Sequence, residues 1–396
     1  MRKTSRFLLC CICCCMGIAG AREQKTDDLR RRGTLDNCRI KFEREKKGRV
    51  AFMGGSITEM EGWREMVCRE LQDRFPDTEF DFINAGISST GTTPGAFRFE
   101  RDVLCRGPVD LLFEEAAVND ETNGFSDIEQ IRGMEGIIRQ ARISNPEIDI
   151  VMLHFIGDGM LMPLSQEVTP AVILNHEKVA EHYQIPSINL AEEVAQRMKA
   201  GEFDWPTFGG THPAPFGHRI YAAAISRLFD EMWHSPLRES ERIHPHNLPA
   251  TPLDANSYFG GQLVDIRQAK LGKGWKYTAV WQPELPAATR KGFVHVPAIE
   301  ALKAGAQLHF RFTGKTVGIF HVAGPDTGII EYSVDGKPFR EKDLFTEWSE
   351  GLYIPWMTIL ETGLNEGRHE LVLRMSEKHH PAGKGQACRI LYFAVD

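Results

Sequence analysis

Val50-Ala51-Phe52-Met53-Gly54-Gly55-Ser56-Ile57-Thr58 is a short apolar run that ends in two glycines and a serine. Glu59 to Arg74 follows, with Trp63, Met66, Val67 and Leu71 recurring at helical spacing. A buried strand, a sharp turn and an amphipathic helix form the first unit of a strand–helix alternation. Phe80 to Ile83, Val109 to Phe113, Ile148 to Phe155 and Ile185 to Ile188 read as further short strands. Between and after them, Ile131/Met134/Ile138/Ala141, Val172/His176/Val179/Tyr183 and Ile220/Ala224/Leu228/Met232 mark helices, the last spanning Phe216 to Trp233. This order predicts a flavodoxin-like, three-layer α/β unit with a parallel sheet covered on both faces. In such sheets ligands sit at the carboxyl ends of the strands, so functional residues should follow strands.

Downstream the character changes. Residues 234–260 are polar, with Pro236, Pro245, Pro249 and Pro252, and read as a linker or an irregular connection. Beyond them Trp275–Trp281, Gln307–Phe312, Val317–Val322, Ile329–Val334, Glu370–Met375 and Arg389–Val395 are strand-like, and Asp335-Gly336 marks a hairpin turn. Short strands at this density predict an all-β, jelly-roll-like sandwich. The expected division is a leader at 1–21, an N-terminal segment at 22–47, the α/β unit at 48–235, a linker at 236–260 and the sandwich at 261–396.

The leader is expected from Arg2, Lys3 and Arg6, an uncharged run from Phe7 to Gly20, and small residues at Ala19 and Ala21. That is the pattern of a secretory signal peptide, which implies a secreted or periplasmic protein. A lipoprotein is the rival, because Cys10, Cys11, Cys13, Cys14 and Cys15 crowd the segment; none follows a small residue, which argues against lipidation. No later apolar run is long enough to span a membrane. Four cysteines remain, Cys38, Cys68, Cys105 and Cys388, too widely spaced for a zinc site and optional as disulfides. The 396 residues carry 47 Lys plus Arg against 54 Asp plus Glu, a net charge of −7 with no basic stripe, which excludes nucleic acid as an expected partner.

Chemistry is written at the strand ends. Ser56 follows the first strand, and the two glycines before it let the chain turn and lift the serine to the sheet edge. Asn84-Ala85-Gly86-Ile87-Ser88 follows the second, with Gly86 where bare backbone can approach a substrate. Ala117-Val118-Asn119-Asp120 follows the third, and the Asn119 amide suits a developing oxyanion. Thr211-His212-Pro213 precedes the last helix and offers His212 as a base. Singly, Ser56 reads as a helix cap, Asn119 as a turn residue and His212 as solvated; four in this order do not.

The set resembles the SGNH, or GDSL, hydrolase superfamily over roughly residues 48–233. That resemblance implies a serine esterase in which Ser56 attacks an ester carbonyl and His212 takes its proton. The backbone N–H groups of Ser56 and Gly86 and the side chain of Asn119 would hold the oxyanion, with no metal or organic cofactor. His218, in a Gly-His pair opening the last helix, reads as structural. Two departures stand out: Ala117 replaces a glycine, and Gly209 stands where the family has the aspartate that orients the histidine. Without it the ring is fixed either by a backbone carbonyl, which leaves a Ser–His dyad as the resemblance allows, or by another acid, for which Asp204 and Glu115 are the candidates. Export and a fused sandwich point to short acyl esters, chiefly acetyl groups, on carbohydrate. Two other classes stay open: a glycosidase using carboxylates among Glu115, Asp120 and Asp204, and a carbohydrate-binding protein with a degenerate site. Trp275, Trp281, Trp348 and Trp356 read as sandwich core or as sugar-stacking platforms, and His154 as core. His244, His246, His379 and His380 read as solvated loops.

Overall fold

The computed structural model describes residues 28–396; the leader expected at 1–21 and the start of the 22–47 segment lie outside the described residues. β1 (Leu29–Arg30) and α1 (Asp36–Ile40) precede β2 (Lys47–Gly54), α2 (Ser56–Glu59), α3 (Trp63–Arg74), β3 (Glu79–Gly86) and α4 (Thr92–Asp102). Then come β4 (Leu111–Glu115), α5 (Ala117–Thr122), α6 (Asp127–Ser144), β5 (Asp149–Leu153), α7 (Leu161–Ser165) and α8 (Ala171–His182). β6 (Ser187–Ile188), α9 (Leu190–Lys199), α10 (Trp205–Phe208) and α11 (Pro215–Met232) complete the unit. The strands lie in the order β1-β6-β5-β4-β2-β3, with β2 to β6 parallel and β1 antiparallel at the edge.

Alternation along β2 builds both cores. Val50 and Phe52 pack with Trp63, Val67 and Leu71 of α3, Leu190 of α9 and Ile225 of α11. Ala51 and Met53 point the other way, onto Phe97 of α4, Met134 and Ile138 of α6 and Val179 of α8. Burial on both faces explains why this strand reads as an unbroken apolar run.

The helix expected from Glu59 is split. Met60 is extended and Gly62 takes φ 155°, so α3 begins at Trp63. A Cβ on Gly62 would overlap the His218 ring of α11, so helix packing fixes the break. Several short helices and two longer ones, α4 of 11 residues and α9 of 10, were not anticipated. The α4 sequence opens Thr-Thr-Pro-Gly, poor helix formers, and burial of Thr92 through Phe99 overrides that propensity.

The second unit contains β7 (Gln262–Asp265), β8 (Lys270–Leu271), β9 (Trp275–Trp281), β10 (Ala288–Thr289), β11 (Val296–Ala301) and β12 (Gln307–Thr313). It continues with β13 (Val317–Ala323), β14 (Ile329–Val334), β15 (Arg340–Asp343), β16 (Leu352–Glu361), β17 (Arg368–Met375) and β18 (Cys388–Val395). One sheet runs β10-β16-β13-β18-β11-β9 with β7 also on β18, the other β15-β14-β17-β12-β8, antiparallel except for β10 on β16. Leu308, Phe310, Leu371 and Leu373 meet Ile319, Ile390 and Phe393 between them. The expected hairpin turn is present, with Asp335 at φ 54° and Gly336 at φ 73°. The outer face of the larger sheet is also buried. Phe320, Val322 and Leu391 join the core that holds Phe97 and Met134, so the sandwich packs on the helical layer.

The connection between the units is pinned rather than free. Glu135 of α6, fully buried, accepts from the N–H groups of Leu253 and Asp254 and from the hydroxyls of Tyr183 and Ser257. Arg139 donates to Pro249 O at 2.9 Å and Arg142 to Asn247 O at 2.9 Å. Tyr258 is buried against Phe97, and a Cβ on Gly136 would lie 2.7 Å from Tyr258 O. Among the described residues no helix is long and apolar enough to cross a membrane, and all four cysteines are free thiols.

Candidate active site

The turn between β2 and α2 is shaped by two side chains, Glu115 at the end of the neighbouring strand β4 and Asn119 on α5 just after it. Glu115, the last residue of β4, accepts from Gly55 N at 2.8 Å and from Thr58 Oγ1 at 2.6 Å. A Cβ on Gly54 would overlap Glu115 Oε1, and one on Gly55 would overlap Asn119 Oδ1. Both glycines are therefore required by what packs on them. Ser56 then opens α2, where the first N–H groups of a helix lack intrahelical acceptors.

His212 comes from the loop between α10 and α11. Its Nε2 lies 2.8 Å from Ser56 Oγ. Removal of the ring from water lowers its pKa below the ordinary imidazole value; the Arg290 guanidinium acts in the same direction and Asp158 opposes it. The ring is thus neutral near pH 7 and fit to accept the Ser56 proton. Asn119 stands on α5 beside Gly55, and among the described residues its Nδ2 has no protein acceptor.

Gly86 does not take the place expected of it. Its N–H donates to Asn84 Oδ1 at 2.9 Å, and a Cβ there would overlap the backbone of Glu59 and Thr58. Its bareness lets α2 pack on the end of β3, and its donor is spent. Three residues on, Ser89 adopts φ 68° and its N–H has no partner among the described residues. Its carbonyl accepts from Asn123 Nδ2 at 3.1 Å, and its Oγ accepts from Arg290 Nε at 3.1 Å. Only its strand-end position could have singled Ser89 out in the sequence. Arg290 belongs to the loop after β10 and carried no signal.

Neither proposed acid reaches His212. Asp204 is the N-cap of α10: its carboxylate accepts from Thr207 N at 2.9 Å, and that bond holds its pKa below the usual carboxylate range. Glu115 is committed to the Ser56 turn, and burial pushes its carboxyl up to about 7. The position of the family aspartate is the C-cap of α10. Gly209 has φ 107°, and a Cβ there would overlap Ala214 N, so the local backbone admits no aspartate. One further carboxylate borders the loop. Asp158, just after β5, accepts from Trp205 Nε1 at 2.6 Å and from Thr211 Oγ1 at 2.8 Å.

The remaining acids and histidines near the sheet are paired with one another, including His246, which was expected in a solvated loop. Asp120 accepts from Thr92 N and Oγ1, both at 2.7 Å, and pairs with His176 Nε2 at 2.9 Å. His154 pairs with Glu177 at 2.6 Å, and His246 with Asp149 at 2.7 Å. With Glu115 and Asp120 buried and Asp204 capping a helix, the carboxylates a glycosidase would need are already used. Trp275 and Trp281 are core; Trp348 is exposed, and Trp356 packs on Phe125 of the first unit at 6.3 Å between centroids. Beside the Ser56 turn, Glu59 and Ile87 face Tyr277, Lys291, Phe293 and Tyr392 across a cavity of about 510 Å³ between the two units.

Residues 52–220 match the GDSL-like lipase/acylhydrolase family. Over the whole chain, the fold is shared with a crystal structure described as a two-domain esterase (CEX) active on acetylated mannans, co-crystallized with mannopentaose. The TM-score is 0.74 at 20% identity, covering 93% of this chain and 96% of that one. A second crystal structure of that esterase gives a TM-score of 0.73 at 20% identity, covering 93% and 97%. No curated protein matches the sequence.

Proposed function

We propose that this chain, whose residues 52–220 form a GDSL-like lipase/acylhydrolase domain, is a secreted carbohydrate esterase that removes short acyl groups, chiefly acetyl, by a Ser56–His212 mechanism. The observation that carries the reading is the 2.8 Å approach of His212 Nε2 to Ser56 Oγ at the carboxyl edge of the sheet. Ser56 Oγ attacks the acyl carbonyl while its proton passes to His212. The oxyanion is held by Ser56 N–H and Asn119 Nδ2, and Ser89 N–H takes the part expected of Gly86. Collapse of the intermediate transfers the His212 proton to the departing sugar hydroxyl. Water, activated by the same ring, then releases the acid and restores Ser56.

Support for carbohydrate comes from three sides. The cavity between the units offers aromatic and polar side chains of the kind that bind sugar rings. The two-unit fold is shared with an esterase described as active on acetylated mannans. Secretion rests on the leader pattern at 1–21.

The test follows acetate release by residues 22–396 from p-nitrophenyl acetate, acetylated xylan and acetylated mannan. Ser56→Ala and His212→Ala are expected to abolish release, and Asn119→Ala to lower kcat by about 10²–10³. A wild type that releases nothing from any of the three, yet binds the glycans, overturns the esterase reading.

A further inference from the structure

The loop that carries His212 is tied down at both ends by one carboxylate. Asp158 accepts from the indole N–H of Trp205, where α10 begins, and from the hydroxyl of Thr211, the residue before His212. Its own N–H donates back to Thr211 Oγ1 at 3.3 Å. Between those anchors, Gly209 and Gly210 both donate to Trp205 O, and Ala214 N donates to Phe208 O. The turn is closed on itself and hung from Asp158. No carboxylate among the described residues hydrogen-bonds Nδ1 of His212, so nothing else of that charge stands in for the aspartate Gly209 excludes.

We propose that Asp158 is the positioning carboxylate of the Ser56–His212 pair, fixing the His212 loop through Trp205 and Thr211 and supplying negative charge beside the ring. This inference rests on the Ser–His reading above. When His212 takes the Ser56 proton it becomes an imidazolium, which the Asp158 charge favours. Asp158 takes no proton itself; the proton goes on to the leaving hydroxyl. Besides Ser56 of α2 at hydrogen-bond distance, the titratable groups whose field reaches the His212 ring are Arg290 from the sandwich, His218 from α11 and Asp158 from the loop after β5. Of these, Asp158 alone is negative.

Asp158 is solvent-exposed, so its charge is partly screened and its leverage is smaller than that of a buried aspartate. Asp158→Asn keeps an acceptor and a donor for the two anchors but removes the charge; Asp158→Ala removes both. The expected result is a fall in kcat of about tenfold for Asn and about 100-fold for Ala, with KM unchanged, magnitudes typical of general-base support. The acid limb of kcat/KM moves to lower pH in both variants. The His212 ring is also titrated by NMR in the Ser56→Ala background, its signal identified by loss in His212→Gln. The ring pKa should fall when Asp158→Asn is added. Variants within twofold of wild type, or a kcat loss with neither the acid limb nor the NMR titration moved, overturn the proposal. An inactive wild type would sink the Ser–His reading, while the NMR titration would still decide whether Asp158 acts on His212.

Discussion

Glu115 shows how one side chain shapes the turn that carries Ser56. It is fully buried, it is bonded to the residue before Ser56 and to Thr58 after it, and its carboxyl is pushed up to about 7, chiefly by burial and despite those two bonds. The folded protein therefore holds that proton more tightly than the unfolded chain does. The resulting stability is present below the ordinary carboxylate range and is lost as pH rises through about 7, by up to about 3 kcal/mol. Glu115→Gln keeps the acceptor oxygen and removes the titration. Denaturant melts should then show the wild type losing more stability than the variant between pH 5 and pH 8. Parallel curves for the two proteins across that range would contradict the raised pKa. The sequence named Glu115 for its place at the end of a strand but gave it the wrong partner. Strand-end position is legible in a sequence; the direction a side chain takes across the sheet is not.

At the scale of elements, the strand–helix order and most of the sandwich strands were legible because burial on one or two faces leaves a period in the apolar residues. What escaped were the elements set by tertiary packing. α4 forms from a sequence of poor helix formers, and α3 starts late because His218 occupies the space a side chain at Gly62 would need. Ser56, Asn119 and His212 drew attention by their order behind strands, and the fold brings His212 Nε2 within 2.8 Å of Ser56 Oγ. Gly86 instead bonds Asn84, because a glycine that admits a helix looks like one that admits a substrate. The same logic governs Gly209. Its sequence position suggests a lost aspartate, yet the backbone there is left-handed, and a side chain would strike Ala214 N. Gly209→Asp should therefore not restore a triad. It should cost about 1–3 kcal/mol through backbone strain and lower kcat by displacing the His212 loop. Chemical denaturation and p-nitrophenyl acetate turnover test this together, and a variant that is as stable and faster than wild type would reverse the assignment.

At the scale of the whole molecule, the two units share one core and one cleft. Phe320, Val322 and Leu391 of the sandwich complete the burial of Phe97 and Met134, while the pinned segment from Asn247 to Tyr258 fixes their relative placement. This was not legible, since composition marks a proline-rich segment as a boundary and says nothing about which face it is strapped to. The consequence for chemistry is Arg290. It leaves the sandwich loop after β10, donates to Ser89 Oγ at 3.1 Å and holds the His212 pKa down. Removing it should have two separable effects. In Arg290→Gln the loss of a neighbouring positive charge raises the His212 pKa, so the acid limb of kcat/KM moves to higher pH, opposite in sign to the shift expected from Asp158→Asn. The loss of the hydrogen bond also frees the Ser89 turn, and with it the N–H assigned to the oxyanion, so kcat falls by about tenfold or more. A shift of the limb without loss of kcat would assign Arg290 to electrostatics alone. Loss of kcat with a fixed limb would assign it to the turn. An unchanged profile on both counts would mean that the sandwich lends the catalytic unit stability but no part of its chemistry.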